Sequence, residues 1–155
     1  MDVSDDTKHA QQFETALKAA TGNNKIKPLY ITCHSGRDYF SCEQNSALID
    51  MTLRLSKQSG IPVYHETHRS RMLFAAHIAQ RFIEAKPELR LTLDISHWCN
   101  VHETLLQDQA ATVAKALERA SHGQAWIGNP EGPQVNDPRA PEWENAVKAH
   151  ISWWE

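Results

Sequence analysis

RLTLDISHW, residues 90–98, decides how this chain is read. Leu91, Thr92 and Leu93 have the character of a buried strand, yet the run delivers an acid, Asp94, and then a histidine, His97. A second run repeats the layout: IPVYHETHRSR, 61–71, climbs through apolar residues to Glu66, His68 and Arg69. Strands that end in ionisable side chains are typical of α/β proteins, in which polar residues beyond the strand tips form the working face.

Working outward, helical and strand-like periods alternate. Residues 5–20 place Phe13, Ala16, Leu17 and Ala20 on one helical face, with Gly22 as a stop. PLYITCHSG, 28–36, reads as a strand, residues 43–59 as a helix closed by Gly60, and 61–67 as the next strand. A helix over 70–85, the strand LRLTLDI, a helix over 103–121 and a short strand GQAWIG, 123–128, follow. The loop NPEGPQVNDPRAP leads to a last helix from about 141. The order α-βα-βα-βα-βα has crossovers long enough for parallel pairing. It describes an α/β protein, either an open doubly wound sheet or part of a (β/α) barrel. No Gly-rich phosphate loop follows any strand.

Bulk properties narrow the function classes. The 155 residues suit a single domain over 1–155, and 41% hydrophobic with 23% charged residues permits an ordinary core. The formal charge is −3 with no Lys/Arg-rich block, which argues against a nucleic-acid partner. No apolar run is long enough to span a membrane, and the acidic start MDVSDDTKHA does not read as a signal peptide. Cys33, Cys42 and Cys99 form no disulfide or zinc pattern, so a reducing cytoplasm is the expected compartment.

All four strands carry chemistry to one end: His34 on the first, Glu66, His68 and Arg69 on the second, Asp94 and His97 on the third, His122 to Trp126 on the fourth. Period-2 alternation puts Tyr64 with Glu66 on one face, and Thr92 with Asp94. Leu91, Leu93 and Ile95 are left to pack on helices, and Gln124 and Trp126 to look inward.

With strands ending in Glu, then Asp-x-x-His, then a His-bearing strand, the sequence resembles the xylose isomerase-like TIM barrels, which include sugar phosphate isomerases and epimerases. YHETHRSR, LTLDISHW and GNPEGPQVNDPRAPEW carry the likeness, which spans about residues 25–155. It implies a partial (β/α) TIM-type barrel of about four parallel strands, each followed by a helix, corresponding to the fourth to seventh units. The N-terminal half and the last strand are then absent. It also implies a divalent metal (Mn²⁺, Mg²⁺, Co²⁺ or Zn²⁺), held by Glu66 and Asp94, with His122 or Gln124 as a weakened third ligand. Glu66 and His97 would be catalytic, and His97, Arg69 and His68 would touch a sugar or polyol substrate. The sequence departs from the related branch, which has His-x-His-Ala-Arg on the seventh strand, where His122, Gly123, Gln124, Ala125 and Trp126 stand here.

The remaining conspicuous residues have plainer readings. His34, His65 and His102 are expected to be structural or solvated, Cys33 and Cys99 to be small buried groups, and Arg139 to be a solvated loop arginine. Trp143, Trp153 and Trp154 read as core or as a docking face. Four strands of a barrel leave two open edges, so self-association or a companion chain is expected. The rival functions are a non-catalytic half-barrel module and a metal-dependent hydrolase of the abasic-site endonuclease kind. The latter needs a basic groove that the charge pattern does not supply.

Overall fold

The computed structural model describes residues 5–22 and 26–155, so residues 1–4 of the acidic start lie outside the described residues. Four strands, β1 (Ile31–Cys33), β2 (Val63–Glu66), β3 (Leu91–Leu93) and β4 (Ala120–Gly123), form one all-parallel sheet. The helices are α1 (Asp6–Thr21), α2 (Cys42–Ser59), α3 (Ala76–Ala85), α4 (Ser96–His102), α5 (Ala110–Arg119) and α6 (Glu144–Trp154), with a 3-10 turn at Pro141–Trp143. No described helix is long and apolar enough to cross a membrane.

The strands lie side by side in chain order, β1-β2-β3-β4. A doubly wound sheet reverses its order at a switch point, and these four strands do not. With right-handed crossovers, the rule for parallel units, sequential order puts successive helices on one side of the sheet. The packing of α1 on α2 and of α3 on α5 fits that layering.

Local chemistry explains the helix bounds. The Asp5 carboxylate caps α1 by accepting from the Thr7 and Lys8 N–H groups. Ser41 and Gln44 form a capping box on α2, and Gly60 ends it in the left-handed region at φ 70°. The first N–H of α3, from Ala76, donates to His102 Nε2, so His102 is structural. The core joins Phe13, Leu17, Ile49, Leu73, Leu91 and the fully buried Trp98, whose indole N–H donates to the Leu73 carbonyl. Cys33 and Cys99 are buried in it, and burial pushes both thiols up to about 12.

Several expected bounds are corrected. The third strand is only Leu91–Leu93, because Ile95 already has helical backbone and α4 starts at once. The helix expected over 103–121 is only α5, Ala110–Arg119; Glu103 and Leu106 take positive φ in the turn before it, and α4 precedes that turn. The helix expected from residue 70 starts at Ala76, after a turn with Ser70 at φ 63°. The fourth strand is Ala120–Gly123, not 123–128. Its residues carry little strand propensity, and pairing with β3 supplies the order. Trp126, expected on that strand, lies beyond its end and is 54% exposed.

Two buried histidines dock the outer helices onto strand-tip loops. His9 in α1 accepts from the Gly36 N–H at 2.9 Å. His150 in α6 accepts from the Gly128 N–H at 3.1 Å and donates from Nδ1 to the Ala146 carbonyl. Burial holds the pKa of each below the usual histidine range, so both stay neutral acceptors. Gly128 itself lies on Ser96: a Cβ there would sit 2.5 Å from the Ser96 Cα and 2.6 Å from its carbonyl oxygen. Gly128→Ala is therefore expected to lower stability by about 1–3 kcal/mol in urea unfolding, the usual range for overpacking. A change below about 0.5 kcal/mol, as at a neutral surface position, would contradict this close packing.

Candidate metal centre

Each strand tip contributes one polar side chain to the same place. His34 follows β1, Glu66 is the last residue of β2, Asp94 follows β3 and Gln124 follows β4. Thr67 fastens the middle pair. Its hydroxyl accepts from the Asp94 N–H at 2.8 Å and donates to the Asp94 carbonyl at 2.9 Å, locking the β2 and β3 tips in register.

Glu66 is buried at the centre. His34 Nε2 donates to its Oε2 at 2.7 Å and Gln124 Nε2 donates to the same oxygen at 2.9 Å. Among the described residues, Oε1 carries no bond. Asp94 is only 1% exposed. Its Oδ1 accepts from both the N–H and the hydroxyl of Ser96, at 3.0 and 2.5 Å, whereas Oδ2 is buried with no hydrogen-bond partner. Burial pushes the Asp94 carboxyl up to about 6; the Glu66 charge adds to this, while the Ser96 bonds and Arg69 oppose it.

Three imidazoles meet in a row at tilted angles, His34 and His68 at 4.6 Å and His68 and His97 at 3.9 Å between ring centroids. Their bonding assigns different roles. His68 Nδ1 donates to the Arg69 carbonyl at 2.6 Å, which leaves Nε2 with a free lone pair. Arg69 can only donate, and its Nη1 meets His97 Nδ1 at 3.2 Å, so the proton of His97 sits on Nε2. That Nε2–H faces Asp94 Oδ2 at 3.7 Å, beyond hydrogen-bond length. Burial lowers the pKa of both rings, His97 to about 4, and each ring is neutral at pH 7.

Two groups of donors can hold a metal ion: Glu66 with Asp94 and His97, and Glu66 with His34 and His68, the ligand atoms of each group lying within 4.8 Å of one another. Glu66 belongs to both. The stranded Asp94 oxygen and the hard carboxylates with imidazole nitrogen fit a divalent cation. His68, whose Nε2 is free, falls in the group with His34, whereas His97, in the group with Asp94, carries its proton on Nε2 while Arg69 holds Nδ1.

Of the residues expected at the site, Glu66, Asp94, His68, Arg69, His97 and Gln124 come together. His122 does not join either group; its Nδ1 meets the Tyr30 hydroxyl at 3.2 Å, under a ring contact with the same tyrosine. Gln124 reaches Glu66 through its amide nitrogen, as a donor rather than a ligand. His34, expected to be structural or solvated, is instead on Glu66. Its position just past β1, equivalent to Asp94 past β3, was the available signal. Ser96 and Thr67 were missed because hydroxyls carry no pattern of their own. His65 is structural, buried and bonded to Ser35 at 2.8 Å. Arg139 forks onto Asp137 in an exposed loop.

No protein-family model matches the chain, no curated protein matches it, and no solved structure matches its fold. The geometry has to carry the function.

The raised pKa of Asp94 is a stability statement. In the folded chain Asp94 holds its proton more tightly than the unfolded value of 3.8 allows, so its contribution is present below about pH 4 and lost as pH rises through about 6. Asp94→Asn keeps the Oδ1 acceptor and removes the buried charge. In metal-free protein it is expected to raise unfolding free energy at pH 8 by about 2 kcal/mol, with little change at pH 4, read by urea titration. Destabilisation at both pH values would show that the ionised carboxylate is a structural asset.

Proposed function

We propose that this chain is the metal-binding portion of an isomerase or epimerase acting on a sugar or related polyol, built as part of a (β/α) barrel. The observation that carries the reading is Asp94 Oδ2, a buried oxygen with no partner, beside the Glu66 carboxylate at the tips of parallel strands. The sequential strand order supports the barrel, since it is the winding that a closed parallel barrel uses. Asp94 Oδ2 and Glu66 would hold the ion, with Mn²⁺, Mg²⁺, Co²⁺ and Zn²⁺ as the candidates. When bound, such an ion polarises a carbonyl or hydroxyl oxygen.

The chain's own groups divide the remaining work. His97, neutral and held by Arg69, presents Nε2–H as a donor to a substrate oxygen. Glu66, with Oε2 fixed by His34 and Gln124, keeps Oε1 for the ion or for a proton from an adjacent carbon. His34, 41% exposed at the side chain, marks the open side of the site. The negative charge and missing basic stripe remove support for the hydrolase rival.

The test is metal content by elemental mass spectrometry after Mn²⁺ loading, paired with solvent-deuterium wash-in on a panel of aldoses and ketoses. About one Mn²⁺ per chain is expected at pH 8, a fivefold or greater loss at pH 5, and loss in Glu66→Gln. Deuterium entering the carbon next to the carbonyl would support the isomerase reading. Metal binding without exchange would leave a metal site and contradict the reaction.

A second reading, a half-barrel that works only with a companion, is favoured by exposed apolar side chains. Ile26 is 86% and Leu29 88% exposed, next to an exposed Tyr30 that stacks on Tyr64. Light scattering is expected to show self-association, and a monomer at all concentrations would contradict covering by a second copy.

A further inference from the structure

The sheet is strongly curled. Parallel neighbours stand about 4.8 Å apart, so in a flat sheet β1 and β3 would be roughly 10 Å from each other. Across β2, however, the Thr32 and Thr92 hydroxyls meet at 2.9 Å. Tyr30, just before β1, reaches past two strands to bring its hydroxyl within 3.2 Å of His122 Nδ1. Register puts these residues on one face, the concave one, since Thr32 pairs with Tyr64 and Thr92 with His122. A closed parallel barrel fills its interior with layers of side chains taken from alternate strands. Thr32 with Thr92, from β1 and β3, is part of such a layer; Tyr64 with His122, from β2 and β4, is part of another.

Both edges of the curled sheet end in unused backbone. The Ile31 N–H donates to the Pro62 carbonyl, so alternation turns the Thr32 N–H and C=O away from β2. The Gln124 N–H donates to the Leu93 carbonyl, which turns those of Gly123 away from β3. Among the described residues no strand pairs with either edge. Beside the first edge, Phe13, Ala16, Leu17, Ala20 and Ile31 line a cavity of about 370 Å³ between α1 and β1.

We propose that a second copy of this chain docks on both edges at once, β4 of each against β1 of the other, and closes a two-fold (β/α) barrel. The edges select this partner. Joining like edges about a two-fold axis either reverses the partner's strands or turns its concave face outward. Joining β4 to β1 keeps every strand parallel and the concave faces together, and one axis satisfies both edges of both chains. Two copies also supply about eight strands, the number at which side chains just fill a parallel barrel. Each partial layer then meets its symmetry mate, and the strand-tip centres of both copies open into one pocket.

The inference rests on the barrel reading above, not on the metal chemistry. Full-length, metal-free chain is expected to be a dimer by light scattering. Proline is tolerated on an edge strand where its missing N–H faces away from the sheet, and a Cβ at Gly123 meets nothing within 4 Å. Thr32→Pro and Gly123→Pro should each weaken the dimer tenfold or more with an unchanged far-UV spectrum. Thr32→Val, which loses only the hydroxyl, should stay dimeric. An equimolar mixture of the two proline variants should dimerise, because one seam of the mixed pair carries neither proline. A readout on the parent needs no substitution: the Thr32 and Gly123 N–H groups should exchange with solvent tenfold or more slowly once the chain is concentrated into the dimer. The proposal is overturned by a monomeric parent, by a larger ring or polymer, or by a dimer sensitive to only one proline. It is equally overturned if the mixture stays monomeric, if Thr32→Val acts as Thr32→Pro does, or if amide exchange ignores concentration. Mn²⁺ loading of the same samples separates the two readings. A monomer that takes up the ion overturns closure alone, and a dimer that takes up none overturns the metal centre alone.

Discussion

The rest of the structure is organised around one costly placement, the Asp94 carboxylate. A carboxylate removed from water must be hydrogen-bonded or paired, or it picks up a proton. Asp94 is bonded on Oδ1 alone, and burial with a second carboxylate beside it raises its pKa to about 6. A protein selected for stability alone would place an amide or an apolar residue there. The charge is tolerable at neutral pH if something positive completes Oδ2, and Glu66 and His97 lie around that position.

Much of the surrounding framework holds Asp94 still. Thr67 grips its backbone from both sides. Ser96 binds its carboxylate, Gly128 presses on Ser96, and His150 fixes Gly128 from α6. The last helix thus reaches the third strand tip through a chain of short contacts. On the other side, His9 holds Gly36, in the turn that follows His34. Both links need neutral histidines, so acidification loosens the frame from both outer helices while it protonates Asp94.

The central part of this design was legible in the sequence because strand tips carry a strong signal. Glu66 and Asp94 stand where apolar runs end, and the βα order predicts that such residues share one face. The winding was less legible: periodicity allows either sequence of strands, and only pairing shows that β1 to β4 lie in order. The fourth strand was misplaced because Ala125, Trp126 and Ile127 look more like a strand than Ala120–Gly123 does. Pairing to β3 outweighs that propensity. His122 and Gln124 moved with the error, and neither emerged as a ligand. Tautomers are likewise invisible in sequence: that His68 offers a lone pair and His97 a proton follows from the Arg69 carbonyl and guanidinium, which face the two rings.

The account rests on a cation completing Asp94 Oδ2, and anomalous diffraction from crystals grown with Mn²⁺ at pH 8 addresses it directly. The account predicts one strong anomalous peak within coordination distance of Asp94 Oδ2 and Glu66. A peak elsewhere with Oδ2 still unpartnered, or a protonated Asp94 bonded to Glu66 with no peak at all, would contradict it.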